Sequence, residues 1–265
     1  MNFKNKIVLI TGASSGIGEC LVYAFIKEGA KVILSARKID DLERVKNNCG
    51  DKKSNCFPFT LDLMKTENVD IFIKNIINKI GQIDILINNA GLSQRSLISE
   101  TNLGIDRKLM EVNYFGTIAL TKAVLPYMLK NKNGHILATS SLVGKFGFPL
   151  RASYSASKHA LHGFFETLLA ENYHNNIKIS LIIIGRAKTN ISFNSITKTG
   201  EPYKKMDDGQ EKGILPEKVA EIILKGIKKN KKEIKIGSFG ELLLLFLKRF
   251  FPFITYKIIR NIKAT

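Results

Sequence analysis

Tyr154 and Lys158 stand four positions apart in "SSLVGKFGFPLRASYSASK", residues 140–158, with the hydroxyls of Ser140 and Ser141 upstream of them. On a helix, residues i and i+4 share one face, so this spacing sets a phenol beside an ammonium. A free tyrosine titrates near about pH 10, too high for an efficient base near neutrality. A fixed cation nearby favours the phenolate and lowers that value. A polar loop running into an ordinary helix could carry the same residues. The stretch is therefore either plain surface or the place where a proton moves, and the rest of the chain has to decide.

The elements that would position these groups alternate along the chain. Strand-like apolar runs ("KIVLIT", "KVILSA", "CFPFTLDL", "IDILINNAG", "HILATSS", "IKISLIII", "EIKIG") are separated by helical patterns, among them Gly16–Glu28, 65–80, "ALTKAVLPYML", "SYSASKHALHGFFETLLAEN" and "PEKVAEIILKGI". Continuous apolar strands with helices between them call for a parallel sheet covered on both faces. The expected fold is α/β: a single doubly wound domain over residues 1–240, followed by an apolar and basic tail over 241–265. At 265 residues and 45% hydrophobic, the chain can bury a substantial core.

Composition excludes several classes. Cys20, Cys49 and Cys56 are odd in number and widely spread, which reads as free thiols in a reducing compartment. His159 and His162 are three apart with no third ligand near them, so no metal is expected. The strand pattern of "MNFKNKIVLITG" begins by Lys6, which leaves no room for a signal peptide. No apolar run of about 18 residues occurs, so a spanning helix is not expected either. The expected location is cytoplasmic, with a possible peripheral position on the inner membrane surface. Net charge is +18, and the segment 225–265 carries half of it, with eleven Lys/Arg against Glu233 and Glu241.

"TGASSGIG" places Gly12, Gly16 and Gly18 between a strand and a helix. Glycine lets the backbone turn sharply and lets a pyrophosphate approach, while the free N–H groups at the helix start favour an anion. No Gly-Lys-Ser/Thr closes the loop, which argues against a nucleoside triphosphatase. At the end of the second strand, "LSARK" offers Arg37 where a carboxylate would bind ribose hydroxyls. An absent acid and a guanidinium suited to phosphate favour NADP(H), with NAD(H) as the second possibility. The other reading of Arg37 is that it merely begins a solvated helix.

Taken together, TGASSGIG, "LDL" at 61–63, "NNAG" at 88–91, Asn113, Ser140-Ser141 and "YSASK" resemble the short-chain dehydrogenase/reductase family in order and spacing, across most of residues 6–190. The resemblance implies a Rossmann-like sheet, a nicotinamide cofactor and oxidation or reduction at an alcohol or carbonyl carbon. By position it makes Asn113, Ser141, Tyr154 and Lys158 the catalytic group. Cofactor contacts are expected from Gly12, Ser14, Ser15, Gly16, Ile17 and Gly18, from Asp62 and Leu63 by the adenine, and from Asn89, Ala90 and Gly91 along the cleft. Tyr154, Lys158, Gly185 and Thr189 are expected to complete them. Tyr154 would exchange a proton with the substrate oxygen, aided by the Lys158 ammonium and the positive nicotinamide ring, and Ser141 would hold that oxygen. Lys158 would also bind the nicotinamide ribose, and Asn113, by family analogy, would hold a relay water. Ser140 reads as structural. The family often forms dimers through the helix that follows "YSASK", so a homo-oligomer, dimer or tetramer, is expected.

One departure stands in "LIIIGRAKTNIS", where Ile184 replaces the proline usual before Gly185; its loss frees φ and loosens that turn. Residues 190–215 are polar, carry turn formers and read as a mobile lid over the substrate. In the tail, Pro252 splits "ELLLLFLKRFFPFITYKIIRNIKAT" into two apolar pieces too short to span a bilayer, interleaved with Lys248, Arg249, Lys257, Arg260 and Lys263. Two readings stay open: helices lying in an anionic membrane interface, or an apolar side packed on the lid or a second subunit. The expected activity is NADP(H)-dependent interconversion of an alcohol and a carbonyl on a small or lipophilic substrate. The rivals are a 3-oxoacyl-thioester reductase and a nicotinamide-binding sensor without catalysis. Nucleic acid is not an expected partner, because a Leu/Phe stripe suits lipid better than phosphate.

Overall fold

The computed structural model describes residues 2–262. Seven strands, β1 (Ile7–Thr11), β2 (Lys31–Ala36), β3 (Cys56–Thr60), β4 (Ile85–Asn88), β5 (Gly134–Ser141), β6 (Ile177–Ile184) and β7 (Glu233–Ile236), form one sheet in the order β3-β2-β1-β4-β5-β6-β7. Every neighbouring pair is parallel. The helices are α1 (Gly16–Lys27), α2 (Ile39–Asn47), α3 (Val69–Ile80), α4 (Leu103–Met110), α5 (Gly116–Lys130), α6 (Ala152–Glu171), the short α7 (Asp208–Glu211), α8 (Pro216–Lys228), α9 (Phe239–Phe250) and α10 (Pro252–Asn261).

The period of two in a strand sends alternate side chains to opposite faces, and the sheet uses both. Val8 and Ile10 of β1 join the core built with Leu21, Val22 and Phe25 of α1 and Val219, Ile223 and Ile227 of α8. Leu9, between them, joins Ile73 of α3, Val124 of α5 and Phe165 of α6 on the other face. Strands buried on both sides need the unbroken apolar runs seen in "KVILSA" and "IKISLIII".

Strand order reverses between β1 and β4, and a crevice opens there beyond the carboxyl ends of the strands. Thr11, Asn88, Ser141 and Ile184, the last residues of β1, β4, β5 and β6, therefore end at one rim. The sequence pattern missed α4 and the π-helical turn Glu111–Phe115 that joins it to α5. No described helix is long and apolar enough to cross a membrane.

Candidate active site

The glycine turn closes tightly between β1 and α1. Gly12 and Gly16 take φ of +65° and +55°, in the left-handed region that side chains disfavour. A Cβ at Gly18 would stand 2.0 Å from the Gly12 carbonyl oxygen, so the helix can start this close to the turn only with glycine there. Ser15 is the extended N-cap residue of α1, and its side chain makes no cap bond. The Ser14 carbonyl accepts from the Arg44 guanidinium at 2.8 Å, and Arg44 also pairs with Glu19 at 2.8 Å, which ties α2 to the turn. Ile17 lines the crevice.

Across the reversal point, Thr11 Oγ1 accepts the N–H groups of Asn89 at 3.0 Å and Ala90 at 3.1 Å. The Asn89 amide donates to the Thr11 carbonyl at 3.1 Å. These bonds weld the ends of β1 and β4. Farther out, Asp62 accepts the Met64 N–H at 3.0 Å, Leu63 is buried, and Arg37 is exposed at the end of β2. Thr189 lies against the glycine turn, its methyl 3.2 Å from where a Gly16 Cβ would be.

Ser141, Tyr154 and Lys158 line one cavity of about 720 Å³ with Gly91, Gly185 and Thr189. Tyr154 and Lys158 sit one turn apart on α6, the Lys158 Nζ 5.8 Å from the centre of the phenol ring. The ammonium is buried and donates to the Thr139 carbonyl of β5 at 2.7 Å; burial pushes its pKa down to about 8. Burial pushes the Tyr154 phenol upward, against its hydrogen bond with Ser141 and the positive charges of Arg95 and Arg151. Arg95 and Arg151 thus add positive charge near the phenol, beside the Lys158 ammonium at its ring. Ser141 also donates to the Ile184 carbonyl at 3.1 Å, which fixes its rotamer at the rim.

Asn113 reaches inward from the π-helical turn, a wide turn often found at functional sites. Its amide donates to the Leu92 carbonyl at 2.9 Å and to Ser157 Oγ at 3.0 Å, while its oxygen accepts the Leu92 N–H at 2.8 Å. The side chain is a bracket between the loop after β4 and α6. A Cβ at Gly91 would lie 3.1 Å from Asn113 Oδ1 and 3.5 Å from Lys158 Nζ, so these groups meet over that glycine. Ser140 Oγ bonds to His162 Nε2 at 2.9 Å.

Four groups at the site carried no local signal. Gln94 is fully buried, and its carbonyl caps the start of α6. Arg95 and Asp207 form a buried ion pair, with Arg95 Nε to Asp207 Oδ2 at 3.0 Å, joined by Arg151 and by Ser192 Oγ, each at 3.0 Å from that carboxylate. Burial alone would raise the Asp207 pKa, but Arg95, Ser192 and Arg151 hold it low. The fourth is the Thr139 carbonyl. Only long-range pairing reveals these roles, since 112 residues separate Arg95 from Asp207.

The segment read as a lid bonds to the body of the fold at two places. Ile196 exchanges backbone bonds with Ser93 and Arg95 at 2.9 Å, and the Arg95–Asp207 pair locks its far end. The turn after Ile184 is bonded on both sides without proline. Ile184 pairs with both Ser141 and Ile236, and Glu241 accepts the Arg186 N–H at 3.0 Å. A Cβ at Gly185 would meet that carboxylate at 2.6 Å, so a larger residue there would push the Glu241 side chain aside.

Glu241 opens α9 as half of a capping box with Ser238. Leu244, Leu245 and Ile259 pack on Leu142, Phe146 and Ile183, and Leu243, Leu244, Leu247 and Ile258 wall the cavity. One side of the tail thus roofs the site. Lys263 lies outside the described residues.

The residues fit a dinucleotide. A glycine turn aims an α-helix N-terminus at the crevice, and a buried ammonium faces the cavity beside a phenol. A family model described as short chain dehydrogenase matches residues 6–199. The "Dehydrogenase/reductase SDR family protein 7-like" of Drosophila melanogaster is 42% identical over 251 residues, which cover 93% of this chain and 77% of that one. The solved alcohol dehydrogenase of the archaeon Thermococcus sibiricus, complexed with 5-hydroxy-NADP, superposes with a TM-score of 0.75 at 27% identity, over 89% of this chain and 97% of that one. A short chain dehydrogenase/reductase from Burkholderia phymatum in complex with NAD gives 0.84 at 21% identity, over 100% and 99%, a likeness of fold.

Proposed function

The chain belongs to the short-chain dehydrogenase/reductase family, and from that premise we propose that it is an NADP(H)-dependent oxidoreductase interconverting an alcohol and a carbonyl on a lipophilic substrate. Membership makes it a nicotinamide-dependent oxidoreductase. The choice of NADP(H), the acid/base role of Tyr154 and the character of the substrate are our reading.

The observation that carries it is the convergence of Ser141, Tyr154 and Lys158 on one cavity at the carboxyl rim of the sheet. The Gly12–Gly18 turn would hold the pyrophosphate, Asp62 and Leu63 the adenine, Asn89 to Gly91 the cleft wall, and Gly185 and Thr189 the nicotinamide end. When bound, the nicotinamide supplies hydride transfer to or from carbon. Ser141 holds the substrate oxygen within reach of the Tyr154 hydroxyl. During reduction Tyr154 gives its proton to the oxygen on which negative charge develops; during oxidation it takes that proton back.

Burial keeps the phenol protonated, the state that reduction requires. The positive field of Arg95 and Arg151 stabilises the phenolate left behind. Lys158 presents its ammonium to the cofactor ribose while Thr139 fixes its position. Arg37, exposed and with no acid at the end of β2, favours a 2′-phosphate. The apolar roof of Leu243, Leu244 and Leu247 favours a lipophilic substrate. The family premise also supports a dimer or tetramer.

The test is a panel of lipophilic and water-soluble ketones and alcohols offered with either cofactor, read by reduced-nicotinamide absorbance. Turnover of lipophilic carbonyls with NADPH above NADH supports the reading. No turnover across the panel, with cofactor bound, contradicts it.

A further inference from the structure

The tail has two faces, and only the inner one is used by the fold. Outward, Phe246, Phe250, Phe251, Phe253 and Tyr256 are 43–66% exposed. Three of them form a connected patch: the rings of Phe246 and Phe250 lie 4.8 Å apart, and those of Phe246 and Phe251 6.5 Å. Leaving so many large aromatics together in water is unfavourable unless something covers them.

Charge identifies the cover. Between Leu242 and Ile262 the chain has Lys248, Arg249, Lys257 and Arg260 and no acidic residue. Lys248 Nζ stands 4.4 Å from the centre of the Tyr256 ring and 2.9 Å from its hydroxyl, so cation and aromatic are presented together. An aromatic patch ringed by uncompensated cations matches a surface that is apolar beneath and anionic at its face. At 12 and 10 residues, α9 and α10 are too short to span a bilayer. They suit a position in its plane.

We propose that the α9–α10 hairpin docks on an anionic phospholipid bilayer and admits substrate to the active site from it. Docking sets the roof of the cavity against the lipid surface, because the inner wall of the same two helices carries Leu243, Leu247 and Ile258 into the cavity that holds Ser141 and Tyr154. A membrane-dissolved carbonyl then crosses one layer of side chains to reach the phenol. Delivery rests on the functional reading above; docking stands apart from it.

Docking is tested by co-sedimentation of the full chain with vesicles of phosphatidylcholine alone or mixed with phosphatidylglycerol, without substrate or cofactor. Retention is expected on the anionic vesicles only and should fall with added salt. The pairs Phe250→Ser/Phe253→Ser and Lys257→Glu/Arg260→Glu should each weaken it at least about ten-fold, with melting temperature unchanged because these side chains are exposed. Tyr154→Phe should bind as wild type, which separates loss of docking from loss of catalysis. Absence of retention, or retention that neither pair alters, overturns docking. So does an outcome in which the Phe pair dissociates a dimer in light scattering without vesicle binding. For delivery, the Phe pair should raise the KM for a vesicle-dissolved ketone and leave kinetics with a water-soluble ketone unchanged. Equal KM values with both ketones overturn it.

Discussion

The side-chain carbonyl of Gln94 accepts the backbone N–H of Tyr154 at 3.3 Å and that of Ser153 at 3.0 Å. The first turn of a helix has N–H groups without intrahelical partners, and the α6 cap residue Arg151 gives them no side-chain bond. A fully buried glutamine, held at its other end by Ser96 at 3.0 Å, satisfies two of them and so sets where the phenol stands.

Gln94→Leu should therefore leave buried donors unpaired and lower stability by about 1–3 kcal/mol in denaturant melts. Displacing the phenol should cut kcat about ten-fold or more, with the NADPH KM little changed. Gln94→Glu retains the acceptor and should recover most of the kcat. Equal kcat for Gln94→Leu and wild type would show that the cap does not position Tyr154.

Lys158 makes stability depend on pH in a defined window. Its ammonium titrates at about 8 in the fold, lowered by burial, against 10.5 when exposed. Between these values the unfolded chain binds more protons, so stability should rise with pH from about 8 to 10.5. Wild type should gain on Lys158→Met across that window in paired denaturation curves. A flat difference would mean that the ammonium is not desolvated as described.

Much of this was legible in the sequence. Apolar runs and glycine punctuation gave the seven strands and most helices, because strand burial on two faces leaves a continuous pattern. The local spacing Tyr154–Lys158 and the glycine turn pointed to the crevice. What stayed hidden depends on contacts made across the fold. Gln94 lies sixty residues from the N–H of Tyr154 that it caps, and nothing in "LSQRSL" distinguishes a buried arginine from a surface one. The tail was ambiguous for a different reason: an amphipathic stripe shows that one side must be covered and leaves open by what.

Asp207 pairs with two buried or nearly buried guanidinium groups and bonds the segment above the site to the fold. Asp207→Asn should cost roughly 3–5 kcal/mol, since removing one partner strands the buried charge of the other. Limited proteolysis should then cut within residues 190–213 first. Wild-type resistance in that segment would show that Arg95–Asp207 does not fasten it.

Arg37 should discriminate between cofactors. Arg37→Ala is expected to weaken NADPH about ten-fold through the lost phosphate contact while NADH is little affected. The comparison is two Kd values from nucleotide fluorescence. Equal losses for both would remove the basis for the NADP(H) preference.

The most direct measurement is single-turnover reduction of a lipophilic ketone by NADPH with Tyr154→Phe, alongside cofactor binding. The phenol hydroxyl is the proposed proton donor, so the rate should fall by about 10²–10⁴-fold while NADPH still binds with near wild-type affinity. A variant that reduces the ketone at the wild-type rate would place the proton donor elsewhere and contradict the account.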